Sequence, residues 1–296
     1  MAMMLAAELA VLGGCAQGLG ITTPYPVFQV TVLQQLPISS PAFESHAVFD
    51  EAGKAVYFVR SSPAFQGWRL QVSECGDGGW TEPRSPSFAA EGLEADPFLS
   101  DGGTSIYFIS NRTHAGKAGA DLDIYVAKRE NADARWGPPE RLPKPVNSAG
   151  AEWFPRPAPD GWLYFGSDRP GGFGGTDIYR AREQDGVWKV ENLGSAVNSA
   201  GDEFEAEISP DGSRMVMMAD GDIFVLSRAV SGWSGRIKLG QEVNTPALEV
   251  GPTFSPSGRA ILFARDFGAA DLPIGGSGEF VLATTDKVEA WPPACP

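Results

Sequence analysis

The 296-residue sequence contains few residues that bind transition metals and few positive charges. Two His and three Cys are too little material for a zinc or copper site with several ligands. Lys and Arg number 23 against 37 Asp and Glu, a formal net charge of −14. Because an acidic surface repels phosphate, we expect neither nucleic acid nor an anionic membrane surface as a direct partner. Cationic ligands, Ca²⁺ or basic protein surfaces match this charge better.

A long hydrophobic run is also absent. The apolar segment 1–14 is too short to span a bilayer, and we interpret it as the end of an export signal. Leu12-Gly13-Gly14-Cys15 resembles the lipobox of bacterial lipoproteins, whose cysteine is lipidated. The missing basic n-region and Glu8 favour the alternative, a disordered tail. We therefore predict a signal or disordered segment over 1–20 and one domain over 21–296, since no low-complexity run or charge block divides the chain.

The three cysteines are Cys15, Cys75 and Cys295, and the odd count leaves at least one thiol free or modified. Cys15 could pair with Cys295 if the two ends of the domain meet. Lipidation of Cys15 would exclude that pair and would make a lipid anchor the only contact with a membrane.

Five segments of the sequence repeat one pattern, in which a Glu opens an apolar strand that turns at a Gly eight or nine residues later. Two further β-prone runs follow, and in four segments a Trp precedes a last run. Four alternating strands per repeat, with turns between them, are typical of β-propeller blades. The opening residues, 46 to 58 positions apart, are Glu44, Glu94, Glu152, Glu203 and Glu249.

We therefore predict an all-β fold, a β-propeller of four-stranded antiparallel blades, with five blades and six as the alternative count. The fifth segment lacks a fourth strand after Trp291, whereas residues 28–33 form a strand with no blade before it. Pairing this N-terminal strand with the last three strands closes the ring and removes exposed edges.

Residues 158–179, APDGWLYFGSDRPGGFGGTDIY, resemble the WD-like repeat of TolB-type β-propellers, and the likeness extends over about residues 44–285. The resemblance implies a monomeric bacterial envelope protein, periplasmic, lipid-anchored at the outer membrane or secreted, that binds macromolecules without catalysis. TolB-type propellers bind a peptidoglycan-associated lipoprotein, so an envelope protein or a peptidoglycan-associated partner is expected. A counterpart of the helical TolB domain is missing from this sequence, so no specific role in the Tol system follows.

Candidate site residues come from strand alternation, which places positions 0, +2 and +4 from each opening Glu on one side. The residues at +3 and +5 are small, Pro or apolar and should pack between blades, which leaves the first set facing the central channel. The opening Glu residues could instead hydrogen-bond to backbone amides of a neighbouring blade. We predict a ligand- or partner-binding site at the channel mouth, formed by His46, Glu94, Asp96, Arg156, Glu203, Glu205 and Glu207.

No catalytic residue is predicted, and Ca²⁺ is the one cofactor that the channel carboxylates could recruit. The alternative is a five-bladed hydrolase, either a glycosidase or a Ca²⁺-dependent lactonase-like enzyme, that uses these carboxylates. An enzyme should have a deep channel pocket, whereas a binding module should expose aromatic residues such as Trp153 or Phe173. The Ser-Asp-Arg and Asp-Ile-Tyr elements recur around the ring, which favours a structural role, pinning the second strand to the third.

Overall fold

A computed structural model describes residues 29–32, 38–114, 121–268, 278–284 and 291–295. The predicted segment 1–20, with Cys15 and its proposed lipidation, lies outside these residues. Within them the chain forms 21 β-strands and no helix. The same part of the chain therefore contains no helix that is long and apolar enough to cross a membrane.

The strands fall into five successive units, preceded by β1 (Gln29–Val32). Units one and two consist of β2 (Phe43–Phe49), β3 (Ala55–Ser61), β4 (Arg69–Gly76), β5 (Gly79–Trp80), then β6 (Glu94–Ser100), β7 (Ser105–Ser110), β8 (Asp123–Lys128) and β9 (Glu140–Arg141). Units three, four and five consist of β10 (Glu152–Pro157), β11 (Leu163–Ser167), β12 (Asp177–Gln184), β13 (Val187–Asn192), then β14 (Glu203–Ile208), β15 (Arg214–Ala219), β16 (Asp222–Ala229), β17 (Gly232–Trp233), β18 (Ile237–Lys238), then β19 (Glu249–Phe254), β20 (Ala260–Asp266) and β21 (Gly278–Thr284).

Consecutive strands of a unit pair antiparallel, and the first strands form a ring. They are neighbours in the order β2, β6, β10, β14, β19 and back to β2. β1 pairs antiparallel with β21, so the N-terminal strand completes the last unit as predicted. In unit four, β17 and β18 both pair with β16 and share the place of a single outer strand. The all-β fold of four-stranded antiparallel blades, a β-propeller, is confirmed.

The core lies between the units and is built by their second strands, which are apolar on both faces and buried on both. Their β-branched and aromatic residues suit a sheet that is covered on each side. Burial of one such side chain contributes roughly 1.5–3 kcal/mol. The side chains at the middle of these strands, none of them solvent-accessible, are Phe58, Phe108, Phe165, Met217 and Phe263.

The recurring Val-Asn pairs clamp the loop after each fourth strand to the third strand. The Asn147 side chain accepts a hydrogen bond from the Ile124 amide at 2.7 Å and donates one to the Ile124 carbonyl at 2.9 Å. Asn198 and Asn244 make the same pair of bonds in the next two units. An amide side chain has both a donor and an acceptor, which explains why Asn recurs at this position.

The Asp residues that open the third strands have a structural role, although the strands they join differ from the prediction. Asp123 pairs with Arg141 at 2.7 Å and Asp222 with Lys238 at 2.6 Å, so they tie the third strand to the fourth rather than to the second. Asp177 likewise accepts a hydrogen bond from Asn192 on the fourth strand, at 2.7 Å. It also accepts hydrogen bonds from the amides of Phe173 and Gly174, which orders the glycine-rich loop.

A disulfide joins Cys75 to Cys295, with their Cα atoms 5.6 Å apart. The Cys15–Cys295 pair, which the sequence left open, is therefore excluded, because the segment that carries Cys295 runs along unit one and reaches β4. Trp291 packs edge-to-face on Phe49, at 6.2 Å between ring centroids, and holds the start of the same segment.

Candidate functional site

The five opening Glu side chains form a repeated network at the outer end of the channel strands, and each is fully buried. Each accepts a hydrogen bond from the backbone amide four residues before it, as Glu152 does from Ser148 at 3.2 Å. Each also pairs with an Arg, as Glu152 does with Arg169 at 3.0 Å. The paired arginines of the other units are Arg60, Arg112, Arg236 and Arg265.

A β-bulge interrupts every first strand just after its opening Glu. At the +2 position His46, Asp96 and Phe154 have φ of 53°, 56° and 48°, and Gly251 has φ of 67°. A bulge re-aims the side chain and leaves its own N–H unpaired in the ladder. Left-handed backbone of this kind at non-glycine residues costs about 1–3 kcal/mol each and needs support from its surroundings.

Carboxylates supply that support. The Phe154 amide donates to Asp96 Oδ2 at 2.8 Å, and the Gly251 amide donates to Glu205 Oε2 at 2.6 Å. In both cases a +2 amide is satisfied by the +2 carboxylate of the preceding unit. Acidic residues at +2 therefore have a structural purpose, since each N–H that the bulge leaves in the channel needs an acceptor.

The remaining oxygen of each of these two carboxylates contacts His46. The His46 Nε2 atom lies 2.8 Å from Glu205 Oε1 and 3.3 Å from Asp96 Oδ1, while Nδ1 lies 2.7 Å from Ser45 Oγ. The His46–Glu205 contact crosses the ring between units one and four, which are not neighbours. All three ionisable side chains are at most 7% exposed.

A second buried layer lies beneath the first, at the +4 positions. Arg156 Nε donates to Glu207 Oε2 at 3.1 Å, and its guanidinium carbon lies 3.4 Å from the Phe154 ring centroid. Glu207 also accepts from the Phe254 amide at 2.9 Å and from Thr253 Oγ1 at 2.8 Å. The ion pair thereby joins units three and four, and the hydrogen bonds to Glu207 add unit five.

Burial and mutual charge shift the ionisation of both layers. Burial by itself lowers the pKa of His46, but the Asp96 and Glu205 carboxylates outweigh it and raise the pKa above its ordinary value of 6.5. Burial raises the pKa of Asp96, and the nearby Glu205 adds to the rise. Burial also raises the pKa of Glu207 and lowers that of Arg156.

A pocket of about 340 Å³ opens above the His46 layer. Its walls are mostly apolar, and four aromatic rings form an arc around it. The ring centroids are 5.4 Å apart for Phe65 and Trp68, 6.0 Å for Trp68 and Trp153, and 5.9 Å for Trp153 and Phe204. We call these four residues the aromatic arc. Each is partly exposed at the pocket, in contrast to the buried polar base.

A second pocket of about 410 Å³ opens at the opposite end of the channel. Glu207 and Thr253 of the +4 layer line it, together with Phe98 and the C-terminal Trp291. The +2 and +4 layers lie between the two pockets. In the described part of the chain the channel is therefore two separate cavities divided by a buried polar plug.

The structure brings together five of the seven predicted site residues: His46, Asp96 and Glu205 at the base of the first pocket and Arg156 and Glu207 beneath them. It places Glu94 and Glu203 in the repeated network, each with an Arg partner.

The aromatic arc contains three residues that sequence reasoning missed. Phe204 immediately follows an opening Glu, at the same position as Trp153, so this register was a usable signal. Phe65 and Trp68 come from the loop between β3 and β4, for which the repeat gives no signal. Of the two aromatics predicted to be exposed, Phe173 is 53% exposed, whereas Trp153 is partly buried in the pocket wall.

The channel carboxylates suit Ca²⁺ poorly. Ca²⁺ takes about 6–8 oxygen ligands, whereas the oxygens of these carboxylates already accept hydrogen bonds from backbone N–H groups or face His46 and Arg156. Among the described residues, no group of three or more His, Cys, Asp or Glu side chains has a geometry that could hold a metal ion.

No family model matches this chain. A search of curated proteins also finds no match.

Solved structures do resemble the chain. A protein from Agrobacterium tumefaciens provisionally assigned as TolB is 17% identical with a TM-score of 0.50, over 83% of this chain and 84% of that one. A family 117 glycoside hydrolase from Zobellia galactanivorans is 13% identical with a TM-score of 0.56, over 90% and 93%. A gluconolactonase from Xanthomonas campestris is 13% identical with a TM-score of 0.50, over 87% and 89%.

At these identities the likeness shows the fold alone. The similar structures are propellers of several functions, and a TolB-type propeller is one among them rather than singled out.

Proposed function

We propose that this chain is a non-catalytic propeller of the bacterial cell envelope, periplasmic or lipid-anchored, which binds an envelope protein or polymer at the pocketed face. One observation supports this most directly. Asp96 and Glu205 are engaged by a backbone amide and by His46, while the aromatic arc above them is partly exposed. The arrangement offers a shaped apolar surface on a rigid base, as a recognition site does.

The envelope assignment is supported by the Cys75–Cys295 disulfide, because such bonds persist in oxidising compartments and are rare in the cytosol. The resemblance of residues 158–179 to the repeats of TolB-type propellers points to the same compartment. The charge of −14 favours a partner with a cationic surface.

A second candidate is a hydrolase that uses the same pocket. The observation in its favour is that Asp96, whose pKa is raised by burial, lies beside Glu205 at the base of a largely apolar pocket. A raised carboxyl pKa is what a general acid requires.

Site-specific photo-crosslinking in the native host tests the proposal. A photoreactive phenylalanine replaces Phe65 at the pocket, and as a control it replaces Val230, which is fully exposed in a turn of unit four. We expect a discrete crosslinked partner from position 65 and none from position 230.

A panel of aryl glycosides and lactones tests the alternative on the purified protein. Turnover that is lost in both Asp96→Asn and Glu205→Gln would establish the hydrolase and overturn the proposal.

A further inference from the structure

The first pocket combines apolar walls with an acidic base. Val59, Ile109, Met218 and Leu248 complete the wall between the rings of the aromatic arc, so a ligand meets carbon over most of its length. Only at the bottom does it meet Asp96, Glu205 and His46. A ligand with an apolar stem and a single polar head is therefore the shape that fits.

The charge at the base of the pocket determines which charge the polar head group of a ligand should have. The plug contains three carboxyl groups, Asp96, Glu205 and Glu207, against two basic groups, His46 and Arg156. Arg156 and Glu207 pair with each other in the lower layer. The upper layer has two carboxyl groups against one imidazole, so its net charge is negative when both carboxyl groups are ionised. A bound cation favours the ionised form of Asp96, whose pKa burial raises. A cationic head is complementary and an anionic head is repelled.

Both upper carboxylates retain hydrogen-bonding capacity. A carboxylate can accept about four hydrogen bonds. Asp96 accepts from the Phe154 amide and faces His46, and Glu205 accepts from the Gly251 amide and faces His46. Each therefore keeps lone pairs for a further N–H donor, and both residues line the first pocket.

The aromatic arc suits a planar cation. A guanidinium is attracted to the face of an aromatic ring and is more weakly hydrated than an ammonium, so it enters an apolar site at lower cost. The chain itself repeatedly pairs guanidinium groups with rings, as Arg129 over Trp136 at 4.2 Å and Arg180 over Trp162 at 4.2 Å. An arginine side chain has the required form, because its three methylene groups pack on carbon while its head stays polar.

We propose that the first pocket binds an arginine side chain of a partner protein, with its guanidinium at Asp96 and Glu205 and its stem along the aromatic arc. This inference rests on the proposed function and adds the chemical class of the anchor. A fully desolvated arginine in a central pocket is a frequent hot spot of protein interfaces.

Capped tripeptides test the inference by calorimetric titration of the full chain. The probe is acetyl-Gly-Arg-Gly-amide, and the matched control replaces arginine by citrulline, which has the same shape without the charge. We expect saturable binding of the arginine peptide and at least tenfold weaker binding of the citrulline peptide. Equal affinities of the two peptides, or no binding of the arginine peptide, would overturn the inference.

Three variants test the location. Glu205→Gln should reduce the preference for arginine over citrulline to near parity, and Trp68→Ala should weaken the arginine peptide about tenfold while leaving the base intact. Glu191→Gln, the same change of charge on outer strand β13, should leave both affinities unchanged. Circular dichroism identifies any variant that has not folded. If Glu205→Gln does not fold, the binding of the arginine peptide to Trp68→Ala tests the location of the site. Unchanged arginine binding in Trp68→Ala would place the site elsewhere.

Two further comparisons test whether the cation belongs to a protein or to a small molecule, and whether the anchor and the proposed function fail separately. Agmatine binding without peptide binding would assign the pocket to a small free cation and overturn the protein anchor. A crosslinked partner at position 65 together with no arginine preference would overturn the anchor and leave the binding function standing. Arginine preference without any crosslinked partner would support the anchor chemistry and count against the envelope partner.

Discussion

Removing one partner of the Arg156–Glu207 pair should destabilise the ring far more than breaking an ion pair at the surface. Both side chains are nearly inaccessible, at 3% and 8% exposure, and they lie in the lower layer of the plug. Glu207→Gln preserves the shape and the acceptor for the Phe254 amide but removes the counter-charge of Arg156. Loss of one partner of a buried pair costs about 3–5 kcal/mol, because it leaves an uncompensated charge.

We expect the lower end of that range, about 3 kcal/mol, because Asp96 also lies near Arg156 and because Gln keeps the hydrogen bond from Phe254. For a domain of this size that corresponds to a loss of roughly 6–12 °C in Tm. Arg156→Met should also destabilise the fold, by about 2–3 kcal/mol. This loss is smaller than that of Glu207→Gln, because the buried Glu207 carboxyl, whose pKa is raised, can take up a proton and become neutral.

Urea unfolding followed by tryptophan fluorescence measures these free energies. The double variant Arg156→Met/Glu207→Gln should be about 1–3 kcal/mol more stable than the sum of the single losses predicts, because the two side chains contact each other. Glu191→Gln breaks the more exposed Arg180–Glu191 pair on the outer strand and is the matched control, with an expected loss under about 1 kcal/mol. If Glu207→Gln costs no more than Glu191→Gln, or if the single losses simply add, the account of the plug is wrong.

Three further predictions concern pH, the disulfide and strand packing. The pKa of His46 is raised in the folded state, so the stabilisation from protonated His46 is complete below about pH 6.5 and is lost as pH rises through the raised pKa. The difference in unfolding free energy between wild type and His46→Gln should therefore shrink from pH 6 to 9 in urea titrations. A constant difference would contradict this prediction. Cys75→Ser should lower stability by about 2–4 kcal/mol, and adding Cys295→Ser should change nothing more, since the bond is already absent. Gly166→Ala should cost about 1–3 kcal/mol by thermal melting, because its Cβ would collide with the Phe204 carbonyl oxygen, whereas Gly235→Ala, with open space around it, should be neutral.

The fold could be predicted because the length and order of the strands in each unit are visible in the sequence repeat. Apolar runs of strand length, a Gly at each first turn and an unpaired N-terminal strand were sufficient to identify a ring closed by β1. The disulfide could not be predicted in the same way, because the path of the C-terminal segment past unit one is not a property of the repeat. Which cysteines pair depends on tertiary contacts such as that of Trp291 with Phe49.

The site was predictable where strand alternation holds. His46, Asp96 and Glu205 were identified as channel residues from their +2 positions, and the structure places them together. Simple alternation does not take the β-bulge into account. The bulge shifts the register after the opening Glu, so the side chain at position 0 does not face the same way as those at +2 and +4. Glu94 and Glu203 were therefore grouped with the channel although their side chains bind the preceding loop and an Arg.

The pairing of β1 with β21 also governs the order in which the ring can assemble. The two strands lie far apart in the sequence, and the Gln29–Thr284 contact spans 255 residues. Hairpins within a unit form from local sequence, whereas this final pairing waits for nearly the whole chain and pays the entropy of the largest loop. Until then β21 presents an unpaired edge, which β1 of a second copy can also occupy. Slow closure at high protein concentration therefore favours strand-exchanged dimers, and dilution during refolding favours the monomer.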